Sequence, residues 1–295
     1  MIDFLSQLLA LVILIGGAWL GYQRWVKPHA DKTDLQGRGR LMLIVLTFMG
    51  GLLGSPFWWL DARQSFSWDL PPLASRMLAS AGLSFTVGCF LCLGRPTVRR
   101  VRLVLLLTAA YLAPLVVAIL IFHLDRFDFS APITYVFFLI AASITVGAIW
   151  YLFRQPTVVH DNALDSSPSS GAMKVWMGIL ALLMTLWGLA LFLTDNGPSD
   201  LIWAWPGDLL TSRLIGVMLL TIAVGAAYSL RFADASRMMS WVTATYGLGL
   251  AVASAWNALG GKPIKVSYLV VFGAVFLVSA VLLMAEKRRT ADEHG

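Results

Sequence analysis

Apolar residues gather in blocks of about 20 separated by short polar stretches. "FLSQLLALVILIGGAWLGYQ" from Phe4, "LMLIVLTFMGGLLGSPFWWL" from Leu41 and "VSYLVVFGAVFLVSAVLLMA" from Val266 are three of them. An α-helix rises 1.5 Å per residue, so a block of this length crosses the roughly 30 Å of a bilayer's hydrocarbon. No alternating ten-residue strand pattern competes with that reading. The pattern predicts nine spans, at about 4–23, 41–60, 72–94, 103–123, 132–153, 175–194, 208–230, 238–259 and 266–285.

Composition agrees with the pattern. The chain is 58% hydrophobic and 13% charged, whereas a water-soluble domain covers itself with roughly 25% charged residues. The expected fold is an all-α integral membrane protein. The first block is read as an anchor and not as a cleaved signal peptide, because its basic cluster follows the apolar run and Met1-Ile2-Asp3 precedes it.

Charge then sets an orientation. Sixteen of the 22 Lys and Arg fall on one side of the predicted spans: Arg24, Lys27, Lys32, Arg38 and Arg40; Arg95, Arg99, Arg100 and Arg102; Arg154 and Lys174; Arg231 and Arg237; Lys287, Arg288 and Arg289. By the positive-inside rule this side is cytoplasmic, with the N-terminus outside and the C-terminus inside. The opposite loops hold Asp61, Asp69, Asp125, Asp128, Asp195, Asp200 and Asp208, with Trp58, Trp59, Trp68, Trp203 and Trp205 as an interfacial belt. This distribution accounts for the net charge of +6 without a nucleic-acid partner, and it suits a bacterial inner membrane.

The chain also repeats itself. "SWDLPPLASRM" from Ser67 and "AWPGDLLTSRL" from Ala204 align with Trp68 on Trp205, Leu73 on Leu210, Ser75 on Ser212 and Arg76 on Arg213, all 137 positions apart. Gly88 falls on Gly225 at the same offset, and "TAAY" from Thr108 falls on "TATY" from Thr243 at 135. The expected organisation is an N-terminal helix and basic loop (1–40), a first four-helix repeat (41–154), a Ser-, Pro- and Asp-containing cytoplasmic linker (155–174) and a second four-helix repeat with a basic tail (175–295). Four is even, so both repeats enter from the same side and are related by an axis along the membrane normal. Gly17 with Gly21, and Gly50 with Gly54, have the spacing that lets helices approach closely in lipid.

Candidate chemistry is sparse. Arg76 and Arg213 each lie one to two turns inside a span, where a charge needs a partner or a route to the interface. Two readings follow. In one, each guanidinium pairs with Asp61, Asp69, Asp195 or Asp208 and is structural. In the other, the two form an outward anion site with Trp68 and Trp205 as walls and Asp69 and Asp208 as helix caps, since the planar fork of Arg binds carboxylate or phosphate through two hydrogen bonds. Cys89 and Cys92 form a CxxC inside a span and read as small buried residues. His29, His123, His160 and His294 offer no mid-membrane ligand pair for haem, so no metal and no cofactor is expected. His123 with Asp125, Arg126 and Asp128 is a candidate acid–base cluster. No Asp or Glu falls in the middle of a predicted span, as an ion-coupled pump would require.

The leading expectation is a non-enzymatic polytopic membrane protein, a subunit or scaffold of a membrane complex that holds lipid or an apolar ligand. The alternatives are a carrier or receptor for an amphipathic anion using Arg76 and Arg213, and a membrane enzyme acting on a lipid-like substrate. The partners expected are the bilayer itself, other membrane subunits, and a lipid or amphipathic anion.

Overall fold

The computed structural model describes residues 2–30, 33–60, 70–154, 169–199, 201–261 and 266–292, and every regular element among them is helical. Helix α1 is Ile2–Gly21 and continues through a π-helical turn, Tyr22–Val26, to His29. The long helices that follow are α2 (Leu35–Trp59), α3 (Pro72–Gly94), α4 (Val98–Phe122), α5 (Pro132–Phe153), α6 (Gly171–Leu193), α7 (Leu209–Ser229), α8 (Ala233–Leu259) and α9 (Val266–Asp292). Among the described residues, seven of these are long and apolar enough to cross a membrane: α2, α3, α4, α5, α6, α7 and α9.

Several helices start earlier than their apolar runs. α2 begins six residues before Leu41 because the Asp34 side chain accepts from Gly37 N at 2.8 Å and caps it. Thr97 caps α4 by accepting from Arg100 N at 3.2 Å. Ser170 caps α6, inside the stretch expected to be linker. The polar first turns therefore belong to the helices, with Arg38, Arg40, Arg99, Arg100 and Arg102 on them.

Neighbours in sequence pack as antiparallel pairs, α2 with α3, α4 with α5, α6 with α7 and α8 with α9. Two further packings join the early helices to the late ones, α3 with α8 and α4 with α7, while α1 lies against α2. α3 and α7 are consequently the most deeply buried of the seven apolar helices, and α5 and α9 the most exposed.

Close packing rests on particular glycines. A Cβ on Gly51 would lie 2.6 Å from the Gly82 carbonyl oxygen, and one on Gly188 would lie 2.9 Å from that of Gly216. α2 meets α3, and α6 meets α7, with backbone nearly against backbone. Gly17 and Gly21 face Met49 and Val45 of α2, as the spacing predicted, but Gly50 has open space around it and the atoms nearest a Cβ on Gly54 belong to Trp58 of its own helix. Gly51 fills that role instead.

Hydroxyls inside the bundle mostly satisfy themselves. Thr86, Thr108 and Thr221 donate to the carbonyls of Gly82, Val104 and Val217 four residues back, at 2.9, 2.8 and 2.8 Å. Some hydroxyls bond between helices; Thr243 with Ser279, and Trp176 with Ser279, both at 3.0 Å, tie α9 to its neighbours.

Candidate functional site

Arg76 and Arg213 occupy matching places, four residues into α3 and α7 and so about 6 Å along each helix. Asp208 caps α7, accepting from Thr211 N at 3.1 Å and from the Thr211 hydroxyl. α3 instead begins on Pro71 with no side-chain cap. Trp68, Asp69 and Asp61 lie outside the described residues.

Each guanidinium reaches across to a helix distant in sequence, Arg76 from α3 to α8 and Arg213 from α7 to the end of α4. Arg76 Nη1 donates to Asn257 Oδ1 near the end of α8. Arg213 Nη1 lies 2.9 Å from His123 Nε2 at the end of α4, and its Nε donates to the Phe192 carbonyl at 3.2 Å. Phe122 stacks under the Arg213 guanidinium at 4.5 Å, and Phe192 lies 5.8 Å away. Arg213 thus meets two acceptors and an aromatic face. Arg76 meets one acceptor, and its Nε is sealed from solvent with none.

The contact fixes the state of His123. A guanidinium only donates, so Nε2 must accept and the ring is neutral with its proton on Nδ1. His123 as a whole is 6% exposed. Burial, and after it the Arg213 charge, hold this imidazole below its usual range; Arg126 adds to that, and Asp125 and Asp208 oppose it. Asp128 is turned to another task, accepting from Ser130 N at 2.8 Å and from its hydroxyl at 2.6 Å, and those hydrogen bonds hold its carboxyl below the usual carboxylate range.

Trp205 packs edge-on against Tyr268 of α9 at 5.9 Å. Ser267 and Tyr268 in turn donate to the Leu201 and Ile202 carbonyls at 2.6 and 2.8 Å, pinning the 194–208 loop to α9. Cys89 and Cys92 are buried and free, and no cluster of metal-ligating side chains occurs among the described residues.

One polar cluster escaped the sequence reading. At the opposite end of the bundle Arg100 Nε donates to both Asp234 oxygens at 2.8 and 2.9 Å, Nη2 donates to the same carboxylate, and Nη1 donates to the Leu91 carbonyl at 3.0 Å. Thr97 Oγ1 completes the set at 3.0 Å from Asp234 Oδ2. The two side chains are 16% and 8% exposed. Arg237 nearby pairs with Glu286 at 3.2 Å, and Arg99 covers the Phe232 ring at 4.0 Å. A signal was present: Thr97 and Asp234 are 137 positions apart, the spacing of the two arginines, and both stand at helix starts.

Comparison of the chain with known protein families, with curated proteins and with solved structures finds no match. The fold and composition define an all-helical membrane protein with a bilayer as its surroundings.

Proposed function

We propose that this chain is a non-catalytic polytopic membrane subunit or scaffold. In this reading all nine long helices cross the bilayer, α1 as a lone anchor and α2–α5 and α6–α9 as two four-helix units related by a twofold axis along the normal. The carrying observation is that Arg76, Arg213 and Arg100 each hold one unit to the other. A carrier that rocked its halves apart would have to break all three in each cycle, whereas a scaffold keeps them. Burying such pairs is tolerable only where partners satisfy the charge.

The equivalence of contacts supports the duplication. Gly51 on Gly82 matches Gly188 on Gly216, and Gly88 against Val242 matches Gly225 against Leu107. Arg76 with Asn257 matches Arg213 with His123, His123 and Asn257 being 134 positions apart.

Locking tests the functional reading. In a Cys89→Ala, Cys92→Ala background, Gly88→Cys with Val242→Cys places two thiols where a Cβ at position 88 would lie 3.1 Å from Val242. The oxidised, cross-linked chain is expected to rescue a deletion strain as well as the reduced chain, and to migrate in mild detergent with other membrane subunits at fixed stoichiometry. Loss of rescue on locking would favour the carrier. Orientation in the bacterial inner membrane, with the N-terminus outside, predicts that Ser130→Cys labels from outside and Arg154→Cys only from the cytoplasm.

A further inference from the structure

We infer that the unused edge of Arg76 is a binding site for a phosphate oxyanion. A guanidinium has three nitrogens, and in Arg76 only Nη1 is engaged, on Asn257 Oδ1, while Nε is buried with no acceptor. The edge formed by Nε and Nη2 is the one that meets an oxyanion with two parallel hydrogen bonds. Its matching residue lacks this freedom, since Arg213 spends Nε on the Phe192 carbonyl and Nη1 on His123. The two matching arginines thus differ in their hydrogen bonds, Arg213 having both Nε and Nη1 engaged and Arg76 Nη1 alone.

The surroundings of Arg76 are rich in donors. With Oδ1 turned to the guanidinium, the Asn257 amide presents two N–H groups. Ser254, three residues earlier and on the same face of α8, is 1% exposed, and its hydroxyl has no partner, not even the carbonyl four residues back that other hydroxyls here use. Guanidinium and amide meet here with the Asn257 oxygen already engaged, and the free N–H groups of both, with a hydroxyl that can donate on the same face of α8, favour an anion over a cation. Arg76 is itself half-buried and about 6 Å into α3, so the site opens at the depth where phosphates meet a bilayer.

The test uses the purified full chain in detergent, titrated with inorganic phosphate against sodium chloride at matched ionic strength. Phosphate is expected to bind saturably and raise the unfolding midpoint, and Arg76→Gln to weaken binding about tenfold or more, the equivalent of one lost charge-assisted hydrogen bond. Asn257→Asp places a carboxylate on the guanidinium and is expected to abolish phosphate binding while raising the midpoint of the phosphate-free protein. Displacement of phosphate by short-chain phosphatidylglycerol assigns the natural occupant to a lipid headgroup, and persistence of phosphate assigns it to the free ion. Equal binding by the wild type and Asn257→Asp, or a chloride response as large as that to phosphate, overturns the proposal. If Arg76→Gln does not fold, Asn257→Asp decides alone.

Discussion

Arg213 and His123 show how much a single contact fixes. The ring is neutral because a donor points at its lone pair, and Arg213, Arg126, Asp125 and Asp208 are the charges around it. Folding depresses the imidazole pKa, so the unfolded chain binds a proton first as pH falls, and stability is lost from about pH 6.5 downward. His123→Gln keeps an acceptor near the position of Nε2 and removes the titration. Thermal unfolding at pH 8 and pH 5 should show a smaller drop for the variant than for the wild type; an equal drop would exclude His123 as the source. The sequence exposed both arginines, since charge inside an apolar run is conspicuous. It could not show that Arg213 meets His123, 90 positions away, because helix packing chooses that partner.

At the scale of helices, apolar length located the seven helices that, among the described residues, are long and apolar enough to span, but starts came late where the first turn is basic. Arg38, Arg99 and Arg100 look like loop residues in a hydropathy pattern, yet Asp34 and Thr97 cap the helices that carry them. Glycine spacing was a poorer guide. The Gly50–Gly54 pair fits the motif, but Gly51 makes the contact because rotation about the helix axis, invisible in a spacing, turns it toward Gly82. Gly188→Leu should therefore destabilise the protein by about 1–3 kcal/mol through overpacking against α7. Gly178→Leu, on the same helix with no atom near its missing Cβ, should stay within about 0.5 kcal/mol. Paired denaturation curves in one detergent would compare them.

Across the whole molecule, the Arg100–Asp234 pair is the strongest polar joint between early and late helices. Asp234→Ala leaves Arg100 buried without its counter-charge and should cost about 3–5 kcal/mol, and a double change to Arg100→Met with Asp234→Leu should recover most of that loss. If the double variant is no more stable than the single one, the pair contributes more than mutual neutralisation. The helical class and the membrane surroundings were legible because lipid makes apolar length decisive. The joints were not, because each unites residues from separate apolar blocks.

The exchange of partners between early and late helices also governs how the chain is made. Arg76 emerges from the ribosome 181 residues ahead of Asn257, an interval of roughly ten to forty seconds at ordinary rates of synthesis. During that wait the nascent segment has a cation in the bilayer without its amide. The insertion machinery must shelter it until the last quarter of the polypeptide arrives, so premature termination beyond α7 should yield a product that is inserted and then degraded.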